Sequence, residues 1–253
     1  MSIQSSSADG VFTLEIARPE KKNALTAVMY QALADGLTAA QSDPSVRAVL
    51  LLGQPDIFTA GNDLEDFMLR PAQGTEAPVF NFMRALISCE LPVLAAVTGA
   101  AIGIGTTLLL HCDLVYLADD ARLQMPFVNL GLVPEFASSL LLPQRLGYAK
   151  ASEKLLLGDP ITPQEALASG LVSAVLPAAD VVARARKEAA RLVSLPRGAV
   201  RLSKQLLRAP LSAQVNEVID RERVVFEERL RSPEAKEAFA AFFERRKPDF
   251  SKL

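Results

Sequence analysis

One acidic residue stands alone in an apolar part of this chain, and it is the side chain best suited to chemistry. From Leu123 to Gln144 the sequence has no Lys, Arg or Asp, and Glu135 is its only Glu. An isolated carboxylate in apolar surroundings is costly to ionise, so its pKa rises toward neutral pH. Such a group is an effective base toward a carbon acid, such as the carbon next to a thioester, once the carbonyl oxygen is stabilised as an enolate.

The same segment also has a structural interpretation. PEFASS, residues 134–139, resembles a helix start with Pro134 in the first turn. In that position the helix N-terminus would stabilise the charge of Glu135. The residues alone leave both interpretations open.

Three glycine-containing turns follow predicted strands, at residues 60–64, 99–105 and 130–135. A turn between a strand and a helix presents unpaired backbone N–H groups. Two such turns directed at one point could hold an oxyanion between two N–H donors. Taken singly, each turn is explained by the freedom of glycine in sharp turns.

The second turn also resembles a nucleotide-binding motif. GAAIGIG, residues 99–105, follows a strand and opens a helix, and Asp119 and Asp120 follow the next strand. Dinucleotide-binding folds share these features, but the glycine spacing here is not G-x-G-x-x-G. Nucleotide binding is therefore a minor alternative.

The segments around these turns predict an α/β fold. Short strand-like runs alternate with helical segments, which is typical of a largely parallel sheet. VRAVLLLGQ, residues 46–54, has the continuous apolar character of a strand covered on both faces. Thr26 is the predicted N-cap of a long helix, and Thr162 with Glu165 predicts a capping box.

The last part of the chain is predicted to be helical. The charged segment from residue 178 onward is expected to break near Pro196, Pro210 and Pro233. A shift in composition near residue 197 indicates a core up to that point and a helical C-terminal region after it.

Composition and charge argue against several functions. The formal net charge is −2 and no basic stripe runs through the chain, so nucleic-acid binding has no electrostatic support. Cys89 and Cys112 are too few for a disulfide framework or a zinc site, and we expect free thiols in a reducing compartment. His111, the only histidine, ends an apolar run and is expected to be structural. The uncharged stretch 91–110 contains Pro and Gly, which favours a strand, a turn and a helix over a membrane span.

Several motifs together resemble the crotonase superfamily, the enoyl-CoA hydratase/isomerase family, and most resemble its monofunctional 3,2-trans-enoyl-CoA isomerases. The resemblance covers nearly the whole chain, from Arg18 to Phe250. Its segments are RPEKKNALT, IFTAGNDLEDF, PVLAAVTGAAIGIGTTLLLHCDLVYLADDARLQMP, TPQEALASGLV and ERRKPDF. Each segment is short, but the combination is specific.

The resemblance implies the architecture and the partners. Residues 1–197 would form an α/β core of crotonase type, a spiral of repeated ββα units, and residues 198–253 a helical C-terminal trimerisation region. The expected partners are an acyl-CoA substrate and further copies of the chain, in a homotrimer or a dimer of trimers. Coenzyme A is part of the substrate, and no other cofactor and no metal is expected.

Site residues are implied in the same way. The backbone N–H groups of Ala60 and Ile104 would form the oxyanion hole that holds the thioester enolate. The CoA would lie along five consecutive residues: Ala60, Gly61, Asn62, Asp63 and Leu64.

Two departures from the family pattern bear on the reaction. Hydratases of the family carry two glutamates, and this chain has Thr107 and Phe127 at those places. Adding water requires one group to activate the water and another to protonate carbon, so hydratase activity should be negligible. Moving a double bond requires one base, which takes a proton from C2 of a 3-enoyl-CoA and returns it at C4. The isomerases place that base in a PE…SS segment, so Glu135 is the predicted proton shuttle and 2-trans-enoyl-CoA the predicted product.

Other activities and two compartments stay open. The alternatives are dienoyl-CoA isomerisation, acyl-CoA thioester hydrolysis and acyl-CoA binding without catalysis. The terminal Ser251-Lys252-Leu253 matches a peroxisomal address. An Ala-, Leu- and Arg-rich composition instead favours a bacterial, cytoplasmic protein.

Overall fold

The structure, a computed structural model, describes residues 2–69 and 74–253, which form two sheets surrounded by helices. The strands are β1 (Ile3–Ala8), β2 (Val11–Ile16), β3 (Ala48–Leu52), β4 (Ile57–Thr59), β5 (Val93–Val97), β6 (Ala100–Ile102), β7 (Leu114–Ala118), β8 (Arg122–Gln124) and β9 (Ala174–Leu176). The helices are α1 (Ala27–Ser42), α2 (Leu64–Leu69), α3 (Pro78–Ser88), α4 (Ile104–Thr107), α5 (Ser138–Leu146), α6 (Tyr148–Leu156), α7 (Pro163–Ala168), α8 (Ala178–Ser194), α9 (Arg197–Arg229) and α10 (Pro233–Phe243).

The larger sheet has the strand order β1-β2-β3-β5-β7-β9. β1 and β2 pair antiparallel, and the remaining neighbours in this order pair parallel. Every residue of β3 and β5 is buried. For β3 this agrees with the apolar run at residues 46–54, which predicted a strand covered on both faces. α8 packs across β3, β5 and β7, while α1 contacts β1 and β2.

The smaller sheet positions the loops that matter for function. Its strands β4, β6 and β8 pair in parallel, and each comes after a strand of the larger sheet and before a helix. The repeating units are β3-β4-α2, β5-β6-α4 and β7-β8-α5, so the α/β fold of repeated ββα units is confirmed. Because the three short strands are parallel, the loops that follow them lie at one edge of the sheet.

The uncharged stretch 91–110 forms β5, a tight turn, β6, α4 and the start of a 3-10 helix at Leu108–His111. The predicted strand, turn and helix are present, and the structure adds the short strand β6 between the turn and the helix. Among the described residues, no helix combines the length and the apolar character that crossing a membrane requires.

The local signals at two helix starts are confirmed. Thr26 Oγ1 accepts a hydrogen bond from the N–H of Met29 at the start of α1. At α7, Thr162 Oγ1 accepts from the N–H of Glu165, and the Glu165 carboxylate accepts from the N–H of Thr162. This reciprocal pair is the predicted capping box.

The C-terminal part is helical, as predicted, and breaks at two of the three expected prolines. Pro196 precedes α9 and Pro233 begins α10. α9 continues through Pro210, so the break predicted there is wrong. Leu211 and Val215 pack against the core just beyond Pro210, and these contacts hold the helix together where one backbone hydrogen bond is lost.

Candidate active site

Glu135 lies in the loop before α5 and is 6% exposed. α5 begins three residues later, at Ser138, so the alternative of a helix start with Pro134 in its first turn is wrong. Phe136 and Ala137 have φ angles of 58° and 55°, in the left-handed region, which a right-handed helix cannot use. This conformation costs a non-glycine residue about 1–2 kcal/mol, so other contacts must hold the loop.

Two side chains hold this loop from different elements. The Glu222 carboxylate on α9 accepts hydrogen bonds from the N–H of Ala137 at 2.6 Å, the N–H of Ser139 at 3.0 Å and the Ser139 hydroxyl at 2.5 Å. His111 Nε2 donates to the Phe136 carbonyl at 2.8 Å, and the two rings stack with centroids 3.9 Å apart. Burial lowers the pKa of His111 to about 4, which agrees with a structural, uncharged imidazole.

The Glu135 carboxylate has one hydrogen-bonding side chain beside it among the described residues. Thr107 of α4 donates its hydroxyl hydrogen to Glu135 Oε1 at 3.4 Å. Burial, and next the negative charge of Glu222, raise the pKa of Glu135 to about 8, against a weaker lowering by Thr107. The lone carboxylate of the sequence is therefore buried and has the raised pKa of a general base.

Tyr30 of α1 holds the first glycine turn through the side chain of Asn62. Its hydroxyl donates to Asn62 Oδ1 at 2.5 Å. Burial, and then the charge of Glu135, raise the pKa of Tyr30 well above its usual value, so the hydroxyl stays protonated. This hydrogen bond holds the side chain of Asn62 in place, while the backbone of Asn62 forms part of the turn.

The first glycine turn is shaped by buried polar contacts. Asn23 Nδ2 donates to the carbonyls of Ile57 and Phe58 at 3.1 Å each. Thr59 Oγ1 donates to the Asn23 carbonyl at 2.7 Å and accepts from the N–H of Gly61 at 3.0 Å. These bonds satisfy backbone groups that the turn removes from the sheet ladder.

Asp63 fixes the exit of the same turn. Its Oδ2 accepts from Arg18 Nη1 at 2.7 Å, and its Oδ1 accepts from the N–H groups of Glu65 and Asp66 at 3.1 Å each. Burial alone would raise the pKa of Asp63, but these hydrogen bonds, that from Arg18 foremost, lower it. Asp63 therefore caps α2 as a carboxylate and holds the turn in place.

The first and second glycine turns pack backbone against backbone. Gly61 has a φ of 86°, and a Cβ placed there would lie 2.7 Å from the Ile102 carbonyl oxygen. A Cβ on Gly105 would lie 2.5 Å from Thr59 Cγ2. Glycine is required at position 61 because the backbone of Ile102 leaves no room for a side chain, and a Cβ at position 105 would have to displace the buried Thr59 side chain.

The structure corrects one of the two predicted oxyanion donors. The N–H of Ala60 donates to the Lys22 carbonyl at 3.0 Å, so it is occupied and not available to a ligand. The N–H groups of Asn62, in the same turn, and of Ile104, at the first position of α4, have no acceptor among the described residues. Asn62 and Ile104 therefore each present a free N–H donor, one from each turn.

A cavity of about 470 Å³ lies in front of these two turns. All five predicted CoA contacts, Ala60 to Leu64, line it, and Ile104 lines it as well. Its wall is mostly apolar and includes Phe127. The structure thus brings together the turn residues that the sequence singled out, in a cavity large enough for part of an extended ligand.

Glu135 lines an adjoining, much smaller cavity of about 20 Å³ rather than the larger one. Asn62, Phe67 and Phe226 line both cavities. The rings of Phe67 and Phe226 meet edge to face with centroids 6.1 Å apart. Glu135 and the free N–H groups of the two turns therefore line neighbouring cavities that share Asn62, Phe67 and Phe226 in their walls.

The raised pKa of Glu135 should make stability depend on pH. The carboxyl ionises near 4.5 when unperturbed and near 8 in the folded chain. Between these values the unfolded chain releases the proton and the folded chain keeps it, so this group's contribution to stability is lost as pH rises from about 4.5 to about 8. We expect Glu135→Gln to raise the free energy of unfolding by ~2–5 kcal/mol at pH 8 and by almost nothing at pH 4. Urea unfolding at both pH values measures this, and a variant no more stable than the wild type at pH 8 would contradict it.

Other groups singled out by the sequence have structural roles. Cys89 and Cys112 are free thiols, the first buried and the second partly buried. A Cβ on Gly99 would lie 1.8 Å from the Asp56 carbonyl oxygen, so this glycine serves close backbone packing, which weakens the nucleotide-binding interpretation. Within residues 2–69 and 74–253, no three His, Cys, Asp or Glu side chains are grouped to hold a metal ion.

Sequence reasoning missed several residues of the site. Tyr30 lies on α1 and Glu222 on α9, and nothing in their local sequence marks them as site residues. Lys21 and Lys22 line the larger cavity. The KK pair inside RPEKKNALT was a visible signal for positive charge near an anionic ligand.

Comparison with known proteins places the chain in a family. It matches the sequence model of the enoyl-CoA hydratase/isomerase family over residues 6–252. It is 33% identical over 243 residues to the probable enoyl-CoA hydratase echA8 of Mycobacterium leprae, which covers 96% of this chain and 94% of that protein. It is 35% identical over 247 residues to enoyl-CoA delta isomerase 2 of Homo sapiens, which covers 95% of this chain and 62% of that protein.

Solved structures show the same similarity. OdaA of Pseudomonas aeruginosa superposes with a TM-score of 0.94 at 49% identity, over 96% of this chain and 99% of that one. An enoyl-CoA hydratase/isomerase of Pseudoalteromonas atlantica superposes with a TM-score of 0.93 at 45% identity, over 99% of this chain and all of that one. With the fold, the paired glycine turns and these matches, the chain belongs to the enoyl-CoA hydratase/isomerase family.

Proposed function

We propose that this enzyme converts 3-enoyl-CoA to 2-trans-enoyl-CoA, with Glu135 as the group that removes the C2 proton and returns it at C4. The observation that carries the proposal is a single buried carboxylate, with a pKa of about 8, beside the cavity formed by the glycine turns. Near neutral pH both forms of the carboxyl are populated. One group can therefore act first as base and then as acid.

The N–H groups of Asn62 and Ile104 are the proposed donors to the thioester oxygen. Removing a proton from C2 places negative charge on that oxygen, and two fixed N–H donors stabilise the enolate more than the neutral thioester. The reaction needs no cofactor or metal beyond the CoA of the substrate.

The same residues argue against hydration. Thr107 and Phe127 stand where the family's hydratases have glutamates. Thr107 donates its hydrogen to Glu135, and Phe127 is an apolar wall residue of the larger cavity. Neither residue can serve as a carboxylate base for water.

We therefore expect hydration of a 2-enoyl-CoA to be at most about 1% of the isomerisation rate of a 3-enoyl-CoA of equal chain length. Purified protein is assayed with both substrates. Hydration is followed by the loss of absorbance of the conjugated thioester, and isomerisation by its appearance. Comparable rates of hydration and isomerisation would overturn the proposed assignment.

The named relatives support both branches of the family. The human relative is named an isomerase, and a relative in Escherichia coli, 31% identical over 249 residues, is named 1,2-epoxyphenylacetyl-CoA isomerase. The mycobacterial relatives are named probable hydratases. The proposal of isomerisation over hydration therefore rests on the residues at positions 107, 127 and 135.

Substrate must reach both cavities for this reaction. With the thioester oxygen at the two amides, carbons C2 to C4 would have to extend toward the wall shared by the cavities to come near Glu135. Either the side chains of Phe67 and Phe226 must then move apart, or the acyl chain of the substrate must pass beside Asn62, which lines both cavities. The acyl tail would occupy the space between α2, α3 and α9.

A panel of acyl-CoA substrates separates the proposal from its alternatives. Release of free CoA would favour thioester hydrolysis, and a change in conjugated-diene absorbance would favour dienoyl-CoA isomerisation. Binding without turnover on any member would favour an acyl-CoA-binding protein. Formation of 2-trans-enoyl-CoA from a 3-enoyl-CoA is the expected result.

Assembly through the C-terminal region is part of the proposal. α9 exposes Leu202, Leu206 and Leu207 at 60, 73 and 83%, which is unusual for large apolar side chains. This supports residues 198–253 as a contact surface between copies in a trimer or a dimer of trimers. A cytoplasmic location, or a peroxisomal one from Ser251-Lys252-Leu253, stays a prediction.

A further inference from the structure

We propose that Glu222 on the long helix α9 is the positioning residue of the active site, because it holds the left-handed turn that directs the Glu135 carboxylate toward Thr107. The inference rests on the proposed function of Glu135. It adds to the site a residue that lies on a different element and does not contact the reacting atoms.

The backbone that follows Glu135 has an unusual conformation. Phe136 and Ala137 are consecutive non-glycine residues with positive φ, and such a conformation persists only where its surroundings impose it. If the turn relaxed toward the helical region, α5 would begin earlier and the side chain of Glu135 would point elsewhere. The turn therefore decides where the base lies.

Glu222 supplies the most extensive polar contact to that turn. Its two carboxylate oxygens together accept the N–H of Ala137, the N–H of Ser139 and the Ser139 hydroxyl, at 2.5 to 3.0 Å. These N–H groups lie at the N-terminus of α5, where they have no partner within the helix. An anion is also favoured there by the helix dipole. His111 adds one hydrogen bond, to the Phe136 carbonyl.

Glu222 also faces Glu135 across the small cavity. Both line it, together with Arg223 of α9, while Tyr30 of α1 approaches from the side of Asn62. Arg223 is paired with Glu227 through Nη1 at 3.0 Å. The negative charge of Glu222 raises the pKa of Glu135, next after burial itself. His111, with its pKa lowered to about 4, brings no charge to this group near neutral pH.

The decisive variant is Glu222→Gln, which keeps the shape of the side chain. A glutamine has one acceptor oxygen, so it cannot accept from both backbone N–H groups through separate oxygens. The turn then loses a contact, and Glu135 loses both its fixed position and its negative neighbour. We expect kcat on the high-pH plateau to fall about 10- to 100-fold with little change in KM. The acidic limb of the pH profile should move to lower pH, because the loss of the negative charge of Glu222 lowers the pKa of Glu135.

A matched control is Glu188→Gln on α8. Glu188 is as buried as Glu222 and is paired with Arg184 and Arg191, but it lies outside both cavities. A general loss of stability would affect both variants alike, whereas a positioning role predicts that Glu188→Gln keeps the wild-type kcat and acidic limb. Unchanged plateau kcat and acidic limb in Glu222→Gln would overturn the inference.

A second variant covers the case in which Glu222→Gln does not fold. Ser139→Ala removes the hydroxyl donor and keeps both backbone N–H groups on the carboxylate. Its plateau kcat should fall about 3-fold, because the carboxylate is held less firmly. Wild-type kcat in Ser139→Ala would then contradict the positioning role.

Titration without substrate separates this inference from the proposed function. Protein labelled with 13C at the glutamate δ carbon is titrated by NMR, and the Glu135 signal is identified by its absence in Glu135→Gln. The Glu135 pKa should be lower in Glu222→Gln than in the wild type. An identical titration overturns the inference, whatever the activity. A wild type that does not isomerise 3-enoyl-CoA while the titration shifts overturns only the proposed function.

Discussion

Replacing Glu135 with Gln should lower kcat for 3-enoyl-CoA isomerisation by at least ~100-fold while leaving acyl-CoA binding nearly unchanged. Gln has the shape of Glu but cannot accept or return a proton. The binding cavity should survive, because the loop is held through backbone atoms of Ala137 and Ser139 and not through the Glu135 side chain. Steady-state kinetics, with acyl-CoA affinity from calorimetry, measure the two effects separately.

Glu165→Gln is a suitable control for this substitution. Glu165 belongs to the capping box of α7 and lines neither cavity, so its replacement should affect stability alone. If Glu135→Gln retained more than a tenth of the wild-type kcat, Glu135 would not be the proton shuttle.

The second large effect concerns a backbone atom. We expect Ile104→Pro to lower kcat by ~100- to 1000-fold, because it deletes one of the two proposed oxyanion donors. Ile104 is the first residue of α4, a position where a helix tolerates proline and where its N–H has no partner within the helix. The substitution therefore removes the donor with limited damage to the helix.

Ile104→Ala is the control that separates the N–H group from the side chain. Ile104 is buried, so both variants lose packing, at a cost of ~2–5 kcal/mol in stability. Only the proline variant loses the hydrogen-bond donor. Similar kcat values for the two variants would show that the Ile104 amide is not part of the oxyanion hole.

The fold was largely predictable because its elements are local in sequence. The buried runs of β3 and β5, the Thr26 cap and the Thr162–Glu165 capping box all appear as short patterns. Glu135 was predictable for a different reason: a carboxylate isolated among apolar residues needs an explanation. In both cases the physical cause lies within about ten residues of the feature.

The predictions that were wrong depended on contacts between segments that are distant in the sequence. The choice of Asn62 over Ala60 as the free donor depends on the Lys22 carbonyl, which takes the N–H of Ala60. No pattern inside residues 60–64 indicates which carbonyl will approach. A single-residue error in assigning a turn amide therefore cannot be detected from the turn alone.

The loop after Glu135 shows the same limit. Its sequence favours an early helix start, yet Glu222 and His111 hold Phe136 and Ala137 in the left-handed region. Likewise Pro210 should break α9, and packing of the residues beyond it keeps the helix intact. Tertiary contacts overrode local preference at each of these places.

The most direct test of the account follows a hydrogen isotope from one carbon to the other. A 3-enoyl-CoA carrying deuterium at C2 is converted in ordinary water, and the product is analysed for deuterium at C4. Because Glu135 is buried, the account predicts that the wild type delivers a substantial part of the deuterium to C4, and that Glu135→Gln forms almost no product. Product that carries only solvent hydrogen at C4, or a Glu135→Gln enzyme that works near the wild-type rate, would contradict the claim that this one carboxylate moves the proton.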